Sequence, residues 1–287
     1  MTTPPTPQAP QQQAPQQSPP AAPAGPYTSP IPMRRATLGD AIASEWTKIR
    51  SVRSTMWTLG VMIVLLLGIG LLAAIAVRAS GAGLDSTPVL SFGFFGVLLG
   101  SICVITLGVM TIASEYGTGM IRTTLTACPS RARVLSAKAI VFFLLTFVIT
   151  TVTTALVAVL QTAIIGGAAP SGGDWLRATV GVGLYTAALG LLSLAVGALI
   201  RHSAGAITIM IGVVLLPLVL AMFMFAESLS DLRMKLFEYS IPNQLSAFYS
   251  TSVADSGPSG WDPLWIMLGL AAVALLGAFA ALDRRDV

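Results

Sequence analysis

The densest run of side chains capable of chemistry in this sequence is SEYGTGMIRTTLTACPSRARVLSAK, Ser114 to Lys138. It carries Glu115, Tyr116, Gly117, Thr118, Arg122, Pro129, Ser130, Arg131 and Lys138. Glu115 and Arg122 stand seven residues apart and would share a face on a continuous helix. A carboxylate and a guanidinium on one face suit the docking of a partner with complementary charge. They do not compose a catalytic set. The single histidine, His202, sits beside Arg201 with no HExxH or Cys/His cluster around it, and reads as a loop residue. Cys103 lies in an apolar stretch and Cys128 in a basic loop, as packing or loop residues. No GxxxxGK[ST] motif occurs, so the chain lacks the usual phosphate cradle for ATP. Neither a metal nor a cofactor is expected in the chain, and work done by this protein must draw its energy from a partner.

The elements that position this segment follow from composition. Of 287 residues 54% are hydrophobic and only 10% are charged, whereas soluble domains carry roughly 25% charged residues. A hydrocarbon core of about 30 Å takes roughly 20 apolar residues in a helix. Six stretches meet that length: residues 56–77, 89–113, 139–169, 178–200, 203–226 and 263–282. The fold expected is an all-α integral membrane protein of six transmembrane helices. The third stretch exceeds what a bilayer needs, so tilt or an overhanging helix is expected. None of the six, so drawn, contains Asp, Glu, Lys, Arg or His. Ion-coupled carriers generally hold such a residue within the bilayer, which argues against that class, although backbone carbonyls can still coordinate sodium.

Three parts are expected along the chain. Residues 1–33 are rich in Pro and Gln and offer almost nothing to bury, so a disordered tail is expected there. Residues 34–55 read as an amphipathic helix: Thr37 and Asp40 form a short capping box, and Leu38, Ile42, Trp46 and Ile49 recur on one face. A short basic helix with a Trp, just ahead of a span, belongs in the membrane interface. Residues 56–287 form the six-helix domain. An even number of spans puts both termini on one side. That side collects Arg34, Arg35, Lys48, Arg50, Arg53, Arg122, Arg131, Arg133, Lys138, Arg201, Arg284 and Arg285, against Arg78, Arg177, Arg233 and Lys235 opposite. The bias places both termini, and the 114–138 segment with them, in the cytoplasm. The basic residues flank apolar runs rather than forming one soluble face, so anionic lipid is the expected partner and nucleic acid is not.

Within the spans, Gly183, Gly190 and Gly197 recur at heptad intervals, and Gly96 and Gly100 form a GxxxG pair. Small residues on one stripe let helices approach closely, either inside a bundle or between subunits. The long segment from Glu227 to Asp262 lies outside, with Leu229, Leu232 and Leu236 as one face of a short helix.

The 114–138 segment resembles the corresponding segment of ABC-2 type permeases, the membrane subunits of ATP-driven exporters. Their pattern of Glu, Gly-Thr, an apolar-rich helix, Pro-Ser-Arg and a Lys before the next span is met by Glu115, Gly117, Thr118, Leu125, Pro129, Ser130, Arg131 and Lys138. EWTKIRSVRSTMW, Glu45 to Trp57, is similar to the lead-in helix of actinobacterial members. The resemblance implies an ABC ATPase subunit carrying ATP and Mg, a second permease copy or paralogue, a plasma-membrane location, and contacts to the ATPase through Glu115, Tyr116, Gly117, Thr118, Arg122, Pro129, Ser130 and Arg131. Many relatives have a second acidic residue after Gly-Thr where Gly119 stands here, so its ion pair is not carried over. A secondary carrier or channel, and a membrane anchor or regulatory protein, are the alternatives.

Overall fold

Hydrocarbon offers no hydrogen-bond partner to a peptide group, so a chain this apolar must close its backbone bonds within helices. The computed structural model describes residues 36–81, 87–166, 168–251 and 256–284, and among these it contains eleven α-helices and no strand. The proline-rich segment 1–33, Arg34, Arg35 and Arg285 lie outside the described residues.

A short helix α1 (Leu38–Ser51) precedes α2 (Arg53–Ser80). A 3-10 turn, Val89–Gly93, leads into α3 (Phe94–Thr118), followed by the short α4 (Met120–Ala127) and the long α5 (Arg131–Ile165). Next come α6 (Gly172–Leu176), a π-helical stretch Arg177–Gly181 and α7 (Val182–Ile200), which together run as one rod. After α8 (Ser203–Phe223), the short helices α9 (Ser230–Glu238) and α10 (Ile241–Ala247) precede α11 (Asp262–Arg284). Six of these runs are long and apolar enough to cross a membrane: Arg53–Ser80, Val89–Thr118, Arg131–Ile165, Gly172–Ile200, Ser203–Phe223 and Asp262–Arg284.

The number of spans agrees with the sequence reading, but most boundaries move, and two of the shifts bear on charged residues. The second helix continues past residue 113 to Thr118, and the third begins at Arg131 rather than 139. Glu115 and Lys138 therefore lie within spanning helices instead of flanking them. A charge ends an apolar stretch in sequence, yet it does not end a helix when its partner waits inside the protein.

The rod ending in α7 is the hub, packed against α3, α5, α8 and α11. Between helices in lipid, close contact replaces hydrophobic drive, and small residues supply it. A methyl at Gly108 of α3 would stand 2.5 Å from the Gly190 carbonyl oxygen, so α3 and α7 touch backbone to backbone. The heptad glycines all face such contacts. Gly183 lies against Thr151 and Phe147 of α5, Gly190 against Phe142 of α5 and Val104 of α3, and Gly197 against Val109 of α3. These faces are occupied by helices of the same chain, which leaves the stripe no surface for a second subunit. Gly96 and Gly100 pack on Leu66 of α2. The hub's hydroxyls return to their own helix: Thr186 donates to the Val182 carbonyl at 2.7 Å and Ser193 to that of Leu189 at 2.8 Å. On the outside of the bundle, α2, α8 and α11 expose Val64, Leu72, Leu216, Phe223, Val273 and Leu276, apolar side chains suited to lipid.

Candidate functional site

The expected docking segment lies at the end of the bundle where α1, α4 and the ends of α3 and α5 meet. Its organisation begins with α1, which opens on a capping box. The Thr37 hydroxyl accepts from the Asp40 amide, and the Asp40 carboxylate accepts from the Thr37 amide at 2.8 Å. The helix then carries Glu45 and Lys48 one turn apart on the face that meets α3 and α5.

Glu115, in the last full turn of α3, and Lys138, two turns into α5, converge on that pair. The Lys138 ammonium donates to Glu45 Oε2 at 2.8 Å, to Glu115 Oε1 at 2.6 Å and to the Thr111 carbonyl at 3.3 Å. The Lys48 ammonium donates to Glu45 Oε1 at 2.8 Å, to Glu115 Oε1 at 2.9 Å and to the Thr124 hydroxyl of α4 at 3.3 Å. The four charges close a ring, Lys138–Glu45–Lys48–Glu115, with no net charge, and both ammoniums use all three donors. The Lys138 side chain is 0% exposed, those of Glu45 and Glu115 6% and 7%, and that of Lys48 28%. An ion buried to this depth persists only if paired and hydrogen-bonded. Burial pulls the Lys48 ammonium down, but hydrogen bonds and charge from Glu45 and Glu115 outweigh it and hold its pKa above the ordinary lysine value.

Past Glu115 the chain turns outward. Gly119 takes a left-handed conformation at φ +74°, closing α3 and opening α4. This break separates Glu115 from Arg122: the single helical face expected for the two does not form. Instead Glu115 points into the bundle, while Gly117, Thr118, Arg122 and Pro129 are exposed. α4 is pinned by buried Ile121 and leaves Met120, Arg122 and Thr123 on the surface.

The remaining residues of the segment tie neighbouring elements together. Tyr116 lies under the Arg201 guanidinium, 4.9 Å from the ring centroid, at the turn between α7 and α8. In that same turn the His202 ring caps α8 by accepting from the Gly205 amide at 3.1 Å. Ser130 caps α5, accepting from the Arg133 amide. Arg131 donates to the Leu282 carbonyl at the end of α11, and Arg133 donates to the Ala36 carbonyl at 2.6 Å.

Residue types along the segment pointed to Glu115 as a surface group and did not reveal Glu45, Lys48 or Arg201 as its neighbours. The available signal was charge balance: one carboxylate and one ammonium stand on the amphipathic α1, and one of each near the adjoining ends of the apolar α3 and α5. A cavity of about 190 Å³ opens beside the ring, bordered by Ser54, Thr55, Ser114, Thr118 and Met120. Among the described residues no group of three or more His, Cys, Asp or Glu is placed to hold a metal ion.

Comparison with known families agrees with this architecture. Residues 41–228 match the family model described as ABC-2 family transporter protein, from inside α1 to the start of the α9 region. No curated protein matches the chain. The matched region holds the charge ring, the α4 segment and five of the six spanning helices, and members of this family are transport subunits rather than the ATPase itself. With more than half of its length matched, the chain belongs to the ABC-2 family of multi-pass membrane transporter proteins.

Proposed function

We propose that this chain is the membrane-spanning permease subunit of an ABC-type exporter, driven by a separate ATPase that docks on the 114–138 segment. The reading rests on one observation above all. A ring of four charges ties α1, α3 and α5 to one another, and its Lys48 donates to Thr124 of the short surface helix α4, which follows directly on α3. A push on α4 then moves three helices together. Glu115 serves as the internal brace of this handle, and Arg122, Met120 and Thr123 offer the surface a motor would grip. Through Tyr116 and Arg201 the same motion reaches α7 and α8.

The excess of Lys and Arg at this end supports a cytoplasmic placement for the handle and both termini, in the plasma membrane. ATP and Mg belong to the partner ATPase. The exposed face of α1, with Leu38 and Trp46, fits the lipid interface, and the Arg50 guanidinium lies 6.0 Å from the Trp46 ring. A second permease copy or a paralogue completes the pathway. Α test is reconstitution with the ATPase: Arg122→Ala should lower transport-coupled ATP hydrolysis about tenfold without reducing the amount of inserted protein. Unchanged coupling would refute the docking role of α4.

A further inference from the structure

Near the end of α5 remote from the charge ring, Gln161 is 1% exposed. An amide buried to that depth is costly unless its polar atoms find partners. Its Nε2 donates to the Gly70 carbonyl of α2 at 3.2 Å, which fixes the orientation of the amide because a carbonyl can only accept. Gly70 permits the approach, since a methyl there would stand 2.6 Å from Val157 of α5. Gln161 Oε1 takes no donor from any described residue.

Tyr249, just past α10, brings a phenol to the same place. Its ring packs edge-on to Phe94 with centroids 6.4 Å apart, and the residue is 5% exposed. Burial pushes its pKa up, so the hydroxyl keeps its proton, yet it has no partner among the described residues. Gln161 and Tyr249 both border a notch of about 10 Å³ between α2, α3 and α5. A methyl on Gly93 would lie 3.6 Å from the Tyr249 hydroxyl and 3.8 Å from Gln161 Nε2, so the two groups flank the space that this glycine leaves. Thr154 also lines the notch. Its hydroxyl spends its hydrogen on the Thr150 carbonyl at 2.8 Å and keeps its lone pairs.

We propose that the notch holds one buried water, which accepts from the Tyr249 hydroxyl and donates to Gln161 Oε1 and the Thr154 oxygen. The volume is that of a single water, and three polar partners are the usual number for one inside a protein. No carboxylate lines the notch, and three side-chain oxygens fall short of the roughly six that a hard metal cation takes. An apolar occupant would strand a donor and an acceptor. Tyr249, Leu90 and Ala178 also border a cavity of about 620 Å³ at this end of the bundle, so the water enters past the Tyr249 ring. Once bound, it joins the end of α10 to α2 and α5, which the Gln161–Gly70 bond already holds together. The site is independent of the transport reading, and failure of either leaves the other standing.

The test uses the full chain in liposomes and two readouts. In proton-detected solid-state NMR, the Gln161 side-chain amide should show a cross peak to water. Gly93→Ala should abolish it, because the added methyl makes only ordinary contacts, at a φ of −74° that alanine adopts freely, and takes the water's place. The second readout is thermal. Tyr249→Phe, which removes the hydroxyl alone, should lower the melting temperature by about 2–6 °C in the parent and by nothing further in the Gly93→Ala background. A parent without the cross peak would overturn the proposal, as would a cross peak that survives Gly93→Ala. Equal losses from Tyr249→Phe in both backgrounds would overturn it too, since the hydroxyl would then act without the water.

Discussion

Lys138 and Glu115, 23 residues apart in sequence and on different spanning helices, meet at 2.6 Å with both side chains withdrawn from solvent. Two further charges from α1 close around them, so one set of ion pairs ties the end of α3, the start of α5 and the N-terminal helix together. The consequences can be measured.

Replacing Lys138 with Met should be the most damaging single change in the ring. It leaves two carboxylates buried with only Lys48 between them, and breaking a buried pair costs about 3–5 kcal/mol. The melting temperature of the detergent-solubilised protein should fall markedly, and adding Glu115→Gln should restore part of the loss. A Lys138→Met variant as stable as the parent would show that the ring carries no weight.

Lys48 titrates on the partly exposed side of the ring, and its raised pKa fixes the sign of its pH dependence. A cation whose folded pKa lies above the unfolded value stabilises fully below the unfolded value, near 10.5 for lysine. The contribution disappears as pH rises through the higher folded value. The gap in melting temperature between the parent and Lys48→Ala should therefore stay level from pH 7 to about 10 and close only above that. Added salt should narrow it, since this side of the ring reaches water.

Backbone contact between α3 and α7 predicts an asymmetry among glycines. Gly108→Ala drives a methyl into the Gly190 carbonyl and should cost about 1–3 kcal/mol. Gly269→Ala meets nothing within 4 Å in α11 and should fall within about 0.5 kcal/mol of the parent. Equal melting temperatures for the two would contradict the close approach.

The Tyr116 ring and Arg201 guanidinium connect the handle to the hub. A contact of this kind is worth about 0.5–2 kcal/mol, too little to unfold the bundle. Tyr116→Leu should accordingly leave thermal stability nearly intact but raise the ATP hydrolysed per substrate moved in the complex with the ATPase. Stability lost without any change in that ratio would make the contact merely structural.

Much of this architecture was legible in the sequence, because a lipid environment writes spans as long uncharged runs. The Thr37–Asp40 cap was readable for the same local reason, two polar groups three residues apart. Lys138 shows where such reading stops. Its partner Glu45 is 93 residues away, and nothing local distinguishes a lysine that ends a span from one buried inside the protein. Gly119 was visible as a departure from the family pattern, but its left-handed backbone, which parts Glu115 from Arg122, follows from the packing of α4 through Ile121. The Gly183, Gly190 and Gly197 stripe left open whether a helix of the bundle or another subunit lies across it, because the identity of the neighbours, α5 and α3, depends on tertiary order.

The central claim is that α4 is the grip of a motor on another chain. A benzophenone side chain placed at Arg122 tests it most directly when photolysed in intact cells. The predicted result is a covalent adduct with a nucleotide-binding ATPase from position 122 and none from the same label at exposed Arg233, at the opposite end of the bundle. An ATPase adduct from position 233 but not from 122 would contradict the account.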